Sequence, residues 1–276
     1  MKIMKTLYIS DLDGTLLGKD ATLGSETITG LNRLISNGIN FTVATARTSA
    51  TVVQMLKDTN ITLPVILMNG VCIYDIKKQE YIVTEKISNK GKRVLLDVIR
   101  QYIGTGFVYT IDNNRLSTYF ENADSPAAKS FIEERERIYG KKFTKVDSFE
   151  ACYDKSIVYY SIDDKQEKLT EACEELKKCD DLHVEFYRDI YNTDHWYLEV
   201  CSASASKKNA VITLRKLLGA EKVVSFGDNL NDIPMFEASD EAYAVGNAKE
   251  EVKKAATGVI GSNTDNGVVR FIAESI

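Results

Sequence analysis

The chain has 276 residues, of which 44% are hydrophobic and 27% charged, and its formal net charge is −5. This length leaves room for two globular domains of ordinary composition. The negative charge argues against a nucleic-acid partner, because such proteins usually carry a strong basic excess. No apolar run approaches the ~20 residues that span a bilayer, so we expect no membrane partner.

Cysteine and histidine usage excludes two further classes. The only histidines are His183 and His195. The cysteines are odd in number, widely spaced and without a C-x-x-C pair: Cys72, Cys152, Cys173, Cys179 and Cys201. This is neither a zinc framework nor a small disulfide scaffold, and reduced thiols in the cytoplasm fit best. The apolar stretch 7–9 is too short for a signal peptide.

The predicted elements begin with a strand over 6–10, which ends in Asp11-Leu12-Asp13-Gly14-Thr15. In an extended chain residues i and i+2 point to the same side, so Asp11 and Asp13 can face one crevice. Two close carboxylates repel each other, and a divalent cation relieves the repulsion. Oxygen ligands of this kind suit Mg²⁺. The functionally silent alternative is an ordinary Asp-Gly turn.

Helices and apolar strands then alternate. The predicted elements are a helix over Ser25–Ser36, a strand over 41–44, a second helix, and a strand over 64–68 that ends in Asn69-Gly70. This alternation predicts a parallel sheet covered on both faces. Ligands bind beyond the carboxyl ends of such strands. Five polar residues fall there: Asp11, Asp13, Thr45, Arg47 and Asn69.

The pattern changes near Glu85. The following strands alternate between apolar and polar residues, as expected of a sheet with one exposed face. The predicted elements are helices over 90–102, 126–139 and 166–178 and strands over 106–110, 115–120, 156–162, 183–187 and 197–200. This α+β pattern predicts a separate domain, 85–198, inserted between 1–84 and 199–276. Residues 187–196, with His195 and Trp196, are candidates for a ligand-selecting surface, although buried aromatic rings explain them better.

After Cys201 the first pattern returns. A helix over Lys207–Leu218, with Gly219 at its end, precedes a buried strand over 222–227 that runs into Asp228. Asn231 and Asp232 begin a short helix. The last predicted elements are strands over 242–245 and 259–260 and helices over 250–256 and 268–275.

Four stretches, in chain order, resemble the motifs of the haloacid dehalogenase (HAD) superfamily of phosphotransferases. They are Asp11-Leu12-Asp13-Gly14-Thr15-Leu16, Thr45-Ala46-Arg47, Ser206-Lys207 and Gly227-Asp228-Asn229-Leu230-Asn231-Asp232. Around the third stretch, over 199–210, a proline and two glycines of the family pattern are replaced by Ser202, Ser204 and Lys208. This departure leaves open whether Lys207 or Lys208 points inward. The register of Ser206 and Ala210 favours Lys207.

The long insertion and the end of the chain resemble the Cof-type (type IIB) subfamily. The end carries Ala244-Val245-Gly246-Asn247-Ala248 and Asp265-Asn266-Gly267-Val268. The resemblance implies an α/β fold: a Rossmann-like HAD core with a parallel sheet and an inserted α+β cap domain. It also implies that the cap closes over the active site and selects a small phosphate monoester, often a sugar phosphate. We expect a monomer or a small homo-oligomer.

The resemblance also implies the catalytic roles. Asp11 is expected to be the nucleophile, forming an aspartyl-phosphate. Asp13 is expected to protonate the leaving alkoxide and then deprotonate the attacking water. Lys207 would supply a fixed cation that neutralises the transition-state charge.

The remaining site residues are expected to bind phosphate or metal. The phosphate ligands would be Thr45, Arg47, Lys207 and Asn231. The Mg²⁺ ligands would be Asp11, Asp13 and Asp228. Three further residues would orient these ligands without binding phosphate or metal themselves: Asp232, Asn69 and Gly70.

These observations favour a Mg²⁺-dependent phosphatase for small phosphorylated metabolites. A phosphomutase or phosphotransferase on the same scaffold, in which a sugar hydroxyl replaces water, is not separated from it by the sequence. A catalytically silent phosphosugar-binding sensor is a third reading, although the complete set of motif residues argues against it. A dehalogenase is disfavoured, because it needs no acid at Asp13.

Overall fold

The computed structural model describes residues 4–188 and 194–275. The chain forms two compact units, one comprising Met1–Val83 with Ser206–Ile276 and the other Thr84–Ala205. None of the helices in the described ranges combines the length and apolar character that crossing a membrane requires.

Strands and helices alternate along most of the chain. The strands are β1 (Met4–Ser10), β2 (Asn40–Val43), β3 (Val65–Leu67), β4 (Cys72–Asp75), β5 (Glu80–Thr84), β6 (Phe107–Asp112), β7 (Arg115–Phe120), β8 (Phe143–Lys145), β9 (Ile157–Lys165), β10 (Leu182–Arg188), β11 (His195–Ser202), β12 (Ala220–Gly227), β13 (Glu241–Ala244) and β14 (Gly258–Val259). The helices are α1 (Ser25–Ser36), α2 (Ser49–Leu56), α3 (Asn89–Val98), α4 (Pro126–Tyr139), α5 (Gln166–Lys177), α6 (Lys207–Leu218), α7 (Ile233–Glu237), α8 (Glu250–Ala255) and α9 (Gly267–Glu274).

The first unit is built on a five-stranded parallel sheet with the order β14-β13-β12-β1-β2. Leu7 and Ile9 of the central strand β1 are fully buried, as expected where a sheet is covered on both faces. Ser10 lies opposite Phe226 of β12 and Val43 of β2. The three strands therefore end at the same edge. The predicted α/β fold with a parallel sheet is confirmed.

The strand predicted over 64–68 joins this sheet differently from the prediction. It makes one parallel bridge, from Ile66 to Ala44, and otherwise pairs antiparallel with β4 in the three-stranded sheet β3-β4-β5. The chain reverses through Met68, Asn69 and Gly70, all with positive φ. Asn69-Gly70 is a turn signal in the sequence, but methionine rarely adopts this conformation, and the antiparallel pairing after the turn was not predicted.

The second unit contains a six-stranded sheet with the order β10-β11-β9-β6-β7-β8, antiparallel except for the β7–β8 pair. Helices α3 and α5 contact each other, and their apolar residues share a core with Tyr160 of β9 and Leu198 of β11. Strand neighbours of these core residues, such as Tyr159 and Glu199, point to the opposite face. Of the predicted ligand-selecting stretch 187–196, positions 189–193 lie outside the described residues.

Candidate active site

The candidate site lies at the carboxyl edge of the parallel sheet in the first unit. Strands β1 and β12 are neighbours, and the backbone N–H of Asp11 donates to the carbonyl of Phe226 at 2.9 Å. This register brings Asp11, which follows β1, beside Asp228, which follows β12. The side chain of Asp11 is buried, with only 5% of the residue exposed.

Lys207 neutralises part of this acidic site from the first residue of α6. The Ser206 hydroxyl caps the helix by accepting from the N–H of Asn209 at 3.1 Å. Lys207 is 2% exposed, and its Nζ donates to one oxygen of Asp11 and one oxygen of Asp232, both at 2.7 Å. Lys208 instead pairs with Glu237, and its side chain is 45% exposed. The structure therefore points Lys207, and not Lys208, into the site.

Burial and charge act in opposite directions on Lys207. Burial alone would lower the pKa of its ammonium, because a charged group loses hydration. The negative charges of Asp11 and Asp232 and their hydrogen bonds outweigh this effect and hold the pKa above its usual value. Lys207 is thus a permanent cation at the centre of the site.

Asp232 is fully engaged by the protein. Its Oδ1 accepts from Lys207, and its Oδ2 accepts from the backbone N–H groups of Asp228 at 2.9 Å and Asn229 at 3.0 Å. A side chain at position 227 would collide with this carboxylate, so Gly227 permits the close approach. Asp232 therefore orients both Lys207 and the loop that carries Asp228.

Asp228 is held by the first loop of the chain. The Thr15 hydroxyl donates to its Oδ1 at 3.0 Å, and a Cβ on Gly14 would meet its Oδ2. Burial, followed by the negative charge of Asp232, raises the pKa of Asp228 to about 6. The site therefore carries more negative charge than its own groups balance.

This excess charge fits a divalent cation. Asp11, Asp228 and Asp232 each offer an oxygen, and these oxygens lie within 4.8 Å of one another. Both Asp232 oxygens already accept hydrogen bonds. Asp11 and Asp228 each keep one carboxylate oxygen that accepts no hydrogen bond from the residues described. Asp11 and Asp228 could therefore hold the ion, and carboxylate oxygens suit Mg²⁺.

The Asp13 carboxylate lies outside this cluster. It is exposed and accepts from Arg47 Nε at 2.8 Å and Nη2 at 2.6 Å, so both of its oxygens are used. The planar guanidinium matches a carboxylate in this bidentate way. The contact between Asp13 and a metal stays a prediction. Asp232 is the third acid of the cluster.

The other predicted site residues are connected to one another by hydrogen bonds. Thr45 is buried, and its hydroxyl accepts from the backbone N–H of Arg47 at 3.2 Å. The N–H of Asn69 donates to the carbonyl of Thr45 at 3.0 Å, and Asn231 Nδ2 donates to Asn69 Oδ1 at 3.2 Å. These bonds connect the turns after β2 and β3 to the loop after β12. Phosphate contacts of Thr45, Arg47 and Asn231 stay predictions.

Three residues that hold the site loops in place were not predicted from the sequence. Thr15 bonds to Asp228, and its place in the first motif could have indicated this. Asn247 donates to the carbonyl of Gly14 at 2.7 Å, and Asn263 donates to that of Leu17 at 2.8 Å. These two asparagines fix the first loop from the far end of the chain, so no local pattern indicates them.

Comparison with known proteins agrees with the family resemblance of the sequence motifs. Residues 8–272 match the family described as haloacid dehalogenase-like hydrolase. The chain is 29% identical to 5-amino-6-(5-phospho-D-ribitylamino)uracil phosphatase YwtE of Bacillus subtilis, over 98% of this chain and 97% of that protein. It is 28% identical to phosphatase YwpJ of the same organism, over 98% and 99%. The crystal structure of TM0651 from Thermotoga maritima superposes with a TM-score of 0.79 at 25% identity, over 99% and 98%.

We expect Lys207→Met to lower the free energy of unfolding by about 3–5 kcal/mol, because it leaves two buried carboxylates without their cation. Urea denaturation in the presence of a chelator measures this loss. Lys208→Met removes the same charge from a more exposed position and should change stability by about 0.5 kcal/mol or less. Equal losses in the two variants would contradict the inward placement of Lys207.

Gly70 and Gly38 form a second matched pair. Both have φ above +90°. A Cβ on Gly70 would strike the backbone of Ser206 and Lys207, whereas a Cβ on Gly38 would have no atom within 4 Å. Gly38→Ala should cost about 1–3 kcal/mol for backbone strain, and Gly70→Ala distinctly more. Thermal denaturation compares them. A smaller loss for Gly70→Ala would show that this turn is not packed against the start of α6.

Proposed function

Because the chain belongs to the haloacid dehalogenase-like hydrolase family, we propose that it hydrolyses monoesters of small phosphorylated metabolites, such as sugar phosphates, by way of an aspartyl-phosphate on Asp11. Its relatives over nearly the full length are named phosphatases, which supports phosphoric monoester hydrolysis. The observation that carries the proposal is the buried Lys207 between Asp11 and Asp232, beside Asp228.

We propose Mg²⁺ as the cofactor, held by Asp11 and Asp228 and supported by Asp232. When bound, it would neutralise negative charge on the transferring phosphoryl group and on the two aspartates. Lys207 keeps the Asp11 carboxylate fixed through a hydrogen bond to one of its oxygens. Holding the nucleophile in one geometry removes much of the entropic cost of the reaction.

In the first step, a carboxylate oxygen of Asp11 attacks phosphorus and the bond from phosphorus to the ester oxygen breaks. Asp13 gives its proton to the departing alkoxide. Thr45, Arg47 and Asn231 contribute hydroxyl, guanidinium and amide donors to the phosphoryl oxygens. To carry that proton, Asp13 gives up one of its two bonds from Arg47, and the N–H group concerned turns to a phosphoryl oxygen.

In the second step, water attacks the phosphorus of the aspartyl-phosphate. Asp13, now ionised, takes the proton from that water, and the bond between phosphorus and the Asp11 oxygen breaks. Inorganic phosphate leaves, Asp11 returns as a carboxylate and Asp13 is protonated again. Lys207 balances the charge on Asp11 at both stages.

We also propose a role for the second unit. We assign the insertion, 85–198, to substrate selection as a cap domain. A cytoplasmic location is supported by the five cysteines, which are all buried and free of disulfide bonds.

We expect the protein to release inorganic phosphate from a panel of phosphorylated metabolites when Mg²⁺ is present and to lose this activity with a chelator. Asp11→Asn should lower the rate at least a thousandfold, because the amide is a poor nucleophile. A colorimetric phosphate assay measures both effects. Asp58→Asn, an exposed site in the same unit, is the control. Wild-type activity in Asp11→Asn would disprove the assignment, and product formation without phosphate release would indicate a mutase.

Asp13→Ala should slow the first turnover of alkyl phosphates by about 10²–10⁴-fold, because the leaving alkoxide then lacks its acid. The first turnover of p-nitrophenyl phosphate should fall much less, since its leaving group needs no proton. Rapid-quench and stopped-flow measurements compare the two substrates. Equal losses would contradict the acid role of Asp13.

A further inference from the structure

Lys141 lies on the face of the second unit's sheet opposite α3 and α5. Tyr109 on this face lies across from Tyr159, and Lys141 is placed two residues before Phe143 of β8. The Lys141 Nζ is 4.5 Å from the ring centre of Tyr109 and 5.0 Å from that of Phe143. The ammonium therefore rests among aromatic rings instead of extending into solvent.

A second cation lies nearby. The guanidinium of Arg135, on α4, is 3.7 Å from the ring centre of Phe131, and the Lys141 Nζ is 5.9 Å from that same ring. Burial and the positive charge of Arg135 together lower the pKa of Lys141 to about 7. The two groups therefore repel each other in a partly desolvated place.

Arg135 pairs with Glu134 at 3.1 Å, but within 4–188 and 194–275 no carboxylate forms an ion pair with the ammonium of Lys141. The acids of the same sheet face are engaged elsewhere. Their partners are Tyr187 for Glu199 at 3.0 Å, His195 for Asp163 at 3.0 Å and His183 for Glu185 at 3.3 Å.

Such an arrangement favours an anionic ligand. Aromatic rings stabilise a cation only partly, by about 0.5–2 kcal/mol. A ligand oxyanion would add a charge-assisted hydrogen bond and relieve the repulsion between Lys141 and Arg135.

We propose that Lys141 and Arg135 form an anion-binding site on this face of the second unit, for the carboxylate or phosphate group of a small molecule. The second unit alone supplies these residues, so the site does not depend on the chemistry at Asp11. If the ligand is a substrate, the bound group is a second anion, distinct from the ester phosphate that reacts. That extension rests on the proposed phosphatase function.

Competitive acetylation tests the site directly on the full-length protein without metal. Trace acetic anhydride is added, and the ratio of acetylation at Lys141 to that at the exposed neighbour Lys142 is read by mass spectrometry. Inorganic phosphate or citrate should lower this ratio at least threefold compared with chloride at equal ionic strength. The more protective anion distinguishes phosphate from carboxylate. Arg135→Met should abolish the protection. An unchanged ratio with both anions would overturn the proposal.

Turnover tests the extension with a matched pair of esters, 6-phosphogluconate and sorbitol 6-phosphate, which differ only in a carboxylate. Lys141→Met should raise the KM for 6-phosphogluconate about tenfold or more, which is the loss expected for a hydrogen bond to a charged group. It should leave kcat/KM for sorbitol 6-phosphate within twofold. Lys141→Arg should restore the lower KM, and Lys142→Met is the matched control.

The possible failures are distinguishable. Equal effects of Lys141→Met on both esters, or equal effects of Lys141→Met and Lys142→Met, would overturn the extension to substrates. If the wild type hydrolyses no phosphate ester, the proposed function fails, and the acetylation ratio still decides whether the anion site exists.

Discussion

A single buried ammonium, that of Lys207, makes the rest of the site possible. Three carboxylates whose oxygens lie within 4.8 Å of one another would repel strongly in a site with little water. Lys207 bonds to Asp11 and Asp232, and it neutralises one of the three charges while fixing the direction of the nucleophile proposed here. The remaining negative charge, on Asp11 and Asp228, would attract the divalent cation proposed here. Charge balance thus connects the packing of α6 to the proposed chemistry.

The parallel sheet positions the site residues, and glycines leave space for their side chains. Because β1 and β12 are parallel neighbours, residues from opposite ends of the chain emerge at the same edge. Gly14 and Gly227 let Asp228 and Asp232 approach the backbone, and Gly70 lets the turn after β3 pack against the start of α6. At each of these positions a side chain would occupy the space that the site needs.

Local signals made much of the first unit predictable. The bounds of α6 were correct because Ser206 caps its start and Gly219 ends it in the left-handed conformation. The buried strands were found because their apolar runs are continuous. The antiparallel pairing of β3 was missed, since it depends on a turn in which Met68 and Asn69 adopt positive φ. Asn69 and Gly70 are typical of positive φ, but Met68 is not, and its conformation follows from tertiary packing.

The direction of the Asp13 carboxylate shows the same limit within the site. The rule that residues i and i+2 share a face holds inside a strand, but β1 ends at Ser10, and Gly14 then turns the chain. Asp13 therefore reaches Arg47, a partner that the spacing of the first motif does not indicate. The supporting asparagines, Asn247 and Asn263, were also beyond sequence reasoning, because they act on a loop more than 200 residues away.

The central claim is that Asp11, held by Lys207, receives the phosphoryl group. Borohydride treatment of an acid-quenched reaction, followed by peptide mass spectrometry, tests it most directly, because the reagent reduces an acyl phosphate to the alcohol. The account predicts homoserine at position 11 only when substrate and Mg²⁺ are present during turnover. Unmodified Asp11 under those conditions, or reduction at Asp13 or Asp228 instead, would contradict it.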